Sequence, residues 1–175
     1  PFLLMSPLLA RWPHSVALWV LTALVTGFVQ NALGLLMHEG SHYFFHRSKK
    51  ASDIWCDVLV CLPIFNTVQG YRTPHFEHHR SSGETADPYF DLYAYPSVRH
   101  LIRQFMVDCA GISAIQRFFS RYGAGGAGKA AKGNPAYAGP VFLVIQLGLW
   151  FLLFKVTGQW YAWFLLWVAP LMTVT

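Results

Sequence analysis

The sequence predicts an all-α integral membrane helical bundle, with a helical region at its cytoplasmic face that carries two histidine boxes. Three observations predict this. Of 175 residues, 54% are apolar, 17% aromatic and only 12% charged, about half the charged share of an ordinary globular protein. Three uncharged apolar runs divide the chain, at residues 15–37, 137–154 and 160–175. Five of the eight histidines fall in His38-Glu39-Gly40-Ser41-His42 and His75-Phe76-Glu77-His78-His79, and histidine is the side chain most often found on protein-bound metals.

The elements follow in order, as a single domain over residues 1–175. Pro1 opens the chain, and residues 2–9 read like the tail of an earlier hydrophobic segment. The sequence is therefore expected to be an internal piece of a longer protein, without a recognisable signal peptide. Residues 15–37 form an uncharged run of 23 residues, which at about 1.5 Å per residue crosses a hydrocarbon core of about 30 Å. This run is predicted to be transmembrane, and it leads directly into the first box. Gln30 and Asn31 lie about two turns before His38, either tolerated within a bundle or contributing to the site.

Residues 38–133 are predicted to form the cytoplasmic-face region. Eleven of the thirteen Lys and Arg and seven of the eight acids lie between Arg47 and Lys132, and positive residues favour the cytoplasmic side. The net charge of +5 is thus a matter of topology, and no nucleic-acid partner is expected. Residues 54–65 are apolar but short for a span and are interrupted by Asp57 and Pro63, which suggests a shallow or re-entrant segment. Thr73-Pro74 reads as an N-cap followed by proline at the first helical position, starting the helix that presents the second box. Residues 97–120 have the pattern of an amphipathic helix, lying on the membrane or covering the site.

Residues 123–130 nearly spell a phosphate-binding loop, but Ala130 stands where Ser or Thr would hold magnesium, so a linker of small residues is expected. Residues 137–175 are predicted to form a transmembrane hairpin. Cys56, Cys61 and Cys109 show no CxxC pairing and read as reduced, small core residues.

The box spacings carry chemical meaning. Residues three and four apart share a helix face, so His38 and His42 project together, as do His75, His78 and His79. The first box also fits H-E-x-x-H, in which two histidines bind zinc and the glutamate is the general base of a peptidase. Three further histidines exceed what one tetrahedral ion needs. That excess favours two ions, with iron the leading candidate by ligand type and zinc still open.

The pattern His38-x-x-x-His42, a gap of about three dozen residues, then His75-x-x-His78-His79 beside apolar spans, resembles the membrane fatty acid desaturase and hydroxylase superfamily. Tyr71-Arg72 before the second box, Arg80 after it and Asp87-Pro88 closing the segment belong to the same resemblance. It implies a di-iron centre on the cytoplasmic face that uses O₂ to desaturate a fatty acyl chain, with lipid hydroxylation or carotenoid ketolation as variants. Carried over by position, His38, His42, His75, His78 and His79 would be iron ligands, and His46, four residues beyond His42, could join them. Glu39, Glu77 and Asp87 would orient imidazoles rather than bind iron. Electrons would come from a separate carrier such as ferredoxin or cytochrome b5. The third histidine box of the superfamily is absent from this sequence.

Overall fold

The computed structural model describes residues 2–90, 97–116 and 135–173, and every regular element among them is helical. Helix α1 covers Phe2–Arg11 and α2 covers Val16–Ser41. Ser15 caps α2, its hydroxyl accepting from the Leu18 amide at 3.4 Å. Helix α3, Lys49–Cys56, continues through a π-helical turn at Asp57–Cys61 and a 3-10 turn at Leu62–Ile64. Then come α4 at Val68–Ser81, α5 at Val98–Cys109, α6 at Ala138–Thr157 and α7 at Phe164–Thr173, which opens on a second π-helical turn.

Helices α2 and α6 are long and apolar enough to cross a bilayer. Their outward residues show it: Leu143, Val144 and Leu147 remain 60–71% exposed, which suits lipid rather than water. Three threonines along these helices bond inside the protein, as an apolar solvent demands. Thr22, Thr26 and Thr157 donate to carbonyls four residues back. The α2 and α6 axes run in opposite directions. Trp19 near the start of α2 and Leu153 near the end of α6 therefore share one core with Leu9, Ala162, Leu166 and Trp167. A second core, Met37, Cys56, Cys61, Val60 and Val68, forms at the other end of α2.

That second core holds the site in place. The segment from Lys49 to Ile64 meets α4 at 91°, as a broken span or re-entrant loop does. The break is chemically finished. Gln146 of α6 donates to the carbonyls of Leu62 and Pro63 at 3.0 and 3.1 Å, and Trp167 Nε1 donates to Pro63 at 2.9 Å. Trp163 Nε1 in turn donates to Gln146 Oε1 at 3.2 Å. Gln146→Leu should lower stability by about 1–3 kcal/mol, the usual cost of leaving a buried polar group unpaired. Equilibrium unfolding in detergent would measure it.

The helix presenting the second box starts earlier than the sequence suggests. Thr67 rather than Thr73 is the N-cap, its hydroxyl accepting from the Gly70 amide at 3.1 Å, and Pro74 lies inside α4. Asp57 decides this. Its buried carboxylate accepts from the Val68 amide at 2.6 Å and from the Tyr137 hydroxyl at 2.7 Å. Those bonds pin the first turn of α4 to the π-helical turn and to the start of α6. An interior proline forgoes a backbone bond and crowds the carbonyl four residues back, and α4 nonetheless continues through Pro74 to Ser81.

Three other expectations change. The amphipathic stretch breaks at Gly111, which adopts φ 72°, and α5 ends at Cys109. No residue of α5 is buried. Cys56 and Cys61 are core residues as expected, but Cys109 is exposed. Helix α2 ends at Ser41, and Tyr43 turns into the left-handed region at φ 66°, so the helical spacing that links His42 to His46 does not continue. The small-residue linker at 123–130 and the amphipathic residues 117–120 lie outside the described residues.

Candidate metal centre

Helix α2 delivers the first box at its last turn. His38 sits on the helix and His42 is the residue that caps it, at φ −92° and ψ 10°. Helix α4 delivers the second. Consecutive helical residues point about 100° apart, so His75 and His79 can look at α2 together while His78 looks elsewhere. The structure follows that rule.

His38, His42, His75 and His79 each offer a ring nitrogen, and those four atoms lie within 4.8 Å of one another. His75 is the centre of the group: its Nε2 stands 3.1 Å from His42 Nε2 and 3.0 Å from His79 Nε2. The ring centroids of His38 and His75 are 4.6 Å apart. A metal–nitrogen bond of about 2.1 Å separates two ligands on one ion by about 3.0 Å in octahedral and about 3.4 Å in tetrahedral geometry. The spacings of His75 to His42 and to His79, 3.1 and 3.0 Å, fit ligands of a shared ion.

The protonation state fits as well. Burial, and then the neighbouring His38, His79, His42 and His78, hold the His75 imidazole well below its usual range, at about 4. Neutral imidazole is the form that ligates. Four imidazole donors gathered without a carboxylate among them would hold a transition metal such as iron or zinc in preference to calcium or magnesium.

The other predicted residues divide. His78 Nδ1 pairs with Asp87 Oδ2 at 2.8 Å, and the Asp87 side chain is fully buried. Asp87 Oδ1 also accepts from the Tyr89 amide at 2.8 Å, which fixes the carboxylate in the turn after α4. His38 Nδ1 lies 3.0 Å from Glu39 Oε1, with both side chains half exposed. Glu77 is exposed. His46 is exposed and accepts from the Ser48 amide at 3.0 Å, outside the group of four. Gln30 is buried and donates to the Trp167 carbonyl at 2.8 Å, while Asn31 faces outward.

Tyr71 and Arg72, which belong to the resemblance, complete the setting together with Asp53 and Tyr43, which the sequence does not mark. Tyr71 stacks on His75 with centroids 5.0 Å apart and planes 22° from parallel. Arg72, Asp53 and Tyr43 join α4 to α3 and to the end of α2. A signal for Arg72 existed: it lies three residues before His75, on the face that meets α2. Nothing local marks Tyr43, whose role depends on a turn formed after α2 stops.

No curated protein and no solved structure matches the chain. Residues 13–175 match the family model described as fatty acid desaturase. The match begins just before α2 and runs through both boxes to the last residue, so the chain belongs to the fatty acid desaturase family.

Proposed function

We propose that this chain carries a di-iron centre that desaturates a fatty acyl chain with O₂ at the membrane surface. Membership of the family makes it an oxidoreductase of lipids set in a membrane; the desaturation, the iron pair and the residue roles are our reading. The observation that carries it is the convergence of four ring nitrogens from two separate helices within 4.8 Å. His38, His42, His75 and His79 are assigned to iron, with His78 as a further ligand. Bound iron supplies an oxidant from O₂ strong enough for an unactivated C–H bond, which no side chain provides.

The chain's own residues do the rest. Burial keeps His75 neutral and ready to ligate. Asp87 fixes the tautomer and rotation of His78, as carboxylates do for metal-bound imidazoles, and Glu39 does the same for His38. Residues 15–37 and 137–175 hold the centre to the bilayer, and residues 38–133 form the cytoplasmic-face region, by the placement of the basic residues. An acyl lipid enters from the bilayer, and a separate carrier such as ferredoxin or cytochrome b5 delivers electrons.

The test is made on the full-length protein, with iron measured by elemental analysis and lipid products by mass spectrometry. Iron-dependent O₂ uptake and loss of two hydrogens from the acyl chain are expected. An added oxygen atom would instead identify a hydroxylase or ketolase. Glu39→Gln should keep its metal and most of its lipid oxidation. A zinc peptidase built on His38, Glu39 and His42 would lose all activity with that change, and peptide hydrolysis by the wild type would overturn the proposal.

A further inference from the structure

A helix leaves its last carbonyls without partners in its own backbone. At the end of α2, Ser41 Oγ donates to the His38 carbonyl at 2.6 Å, and the His42 and Tyr43 amides donate to Glu39 and Gly40 at 3.1 and 3.0 Å. Arg72 reaches across from α4 to complete the set. Its Nε donates to the Ser41 carbonyl at 2.8 Å and its Nη2 to the Gly40 carbonyl at 3.4 Å. Nη2 and Nη1 also hold the two Asp53 carboxylate oxygens at 2.5 and 3.2 Å, and Nη1 donates to Gln69 Oε1 at 3.0 Å. A guanidinium has five N–H donors, and here each has an acceptor. The group lies 4.0 Å from the centroid of the Tyr43 ring, and the residue is only 5% exposed.

We propose that Arg72 is the positioning residue of the metal centre, setting the distance and register between the two histidine boxes. This rests on the reading of His38, His42, His75 and His79 as metal ligands. Arg72, His75 and His79 share one face of α4, at spacings of three and four. The guanidinium therefore anchors that face to the backbone of α2 one turn before the imidazoles meet. The carbonyls it holds come immediately before His42, which has already left the helix. Freeing them lets the last turn of α2 fray and carries His42 away from His75. Asp53 brings in α3 as a third support, and a cation at a helix C-terminus suits the helix dipole. Lysine is no substitute, because one ammonium cannot span two carbonyls and both oxygens of a carboxylate.

The experiment loads Co²⁺, whose visible spectrum reports its ligand geometry, into wild type, His42→Ala, Arg72→Ala, Arg72→Lys and Asp53→Asn, each in lipid nanodiscs. Wild type is expected to bind, and His42→Ala to bind poorly. Both Arg72 variants should keep their helix content yet bind about 10- to 100-fold more weakly, the usual effect of losing a support behind metal ligands, with an altered spectrum. Asp53→Asn should show the same spectral change at smaller size, and serves if Arg72→Ala does not fold. Millimolar methylguanidinium should restore the wild-type spectrum to Arg72→Ala. Wild-type affinity and spectrum in the folded Arg72 variants, or in Asp53→Asn where those do not fold, would overturn the positioning role alone. A wild type that binds no metal would overturn the reading of the cluster, and this inference with it.

Discussion

His75→Ala is expected to empty the metal centre. The other three imidazoles surround it: its Nε2 is 3.1 Å from His42 Nε2 and 3.0 Å from His79 Nε2, and its ring lies 4.6 Å from that of His38. It is also the buried member, 4% exposed, so water cannot easily replace it as a ligand. Losing a group that merely supports a ligand costs about 10- to 100-fold in metal affinity. Losing the central ligand should cost more than about 100-fold, and iron content after purification should fall close to background. The fold itself should survive, since the Asp57 and Thr67 bonds that start α4 do not involve His75. Far-UV circular dichroism checks that point. His46→Ala, an exposed position outside the group, should retain wild-type iron. Retention of iron by His75→Ala would remove the basis for the metal assignment.

Gly40→Ala should be nearly as damaging, for a steric reason. A Cβ at Gly40 would overlap Cys56 Sγ outright and stand 3.0 Å from Cys56 Cβ and 3.3 Å from Phe45 Cε2. Cys56 is fully buried between α3 and α2, so it cannot swing out of the way. The last turn of α2 must retreat from α3, taking His38 and His42 with it. Overpacking of this kind costs about 1–3 kcal/mol and occasionally more, and the displaced histidines should lose iron as well. Thermal unfolding and iron analysis on the same sample measure both. Gly40→Ala combined with Cys56→Ala removes the Sγ overlap and should recover part of each loss. Gly34→Ala in the same helix meets nothing within 4 Å and should be neutral or slightly stabilising, because alanine favours helix over glycine. If Gly40→Ala behaved like Gly34→Ala, the close approach of α2 and α3 would not matter to the site.

These two substitutions mark where local pattern stops being informative. Spacing in the first box places His38 and His42 on one face, and the end of α2 still brings them together although His42 caps the helix from outside it. Spacing in the second box turns His78 about 100° from His79 but does not say which of the three histidines meets α2. Only the 91° turn between the Lys49–Ile64 segment and α4 selects His75 and His79 for α2 and turns His78 to Asp87. That angle depends on Asp57, which reaches Val68 and Tyr137 at once. A contact spanning eighty residues leaves no periodic trace in the chain. The proline at position 74 misleads for the same reason, since its local preference for a helix start yields to those bonds.

By itself the sequence determined an all-helical membrane protein with histidines gathered into two boxes. Low charge, bilayer-length apolar runs and helical spacing are properties of neighbouring residues, and they survive reading in one dimension. Tertiary structure alone decided which four imidazoles converge, that His46 stands apart, and that Arg72 joins the helix ends. Those outcomes depend on angles and separations between helices. Such distances are set by buried contacts such as Asp57 with Tyr137 and Gly40 against Cys56, whose members the chain brings together only on folding.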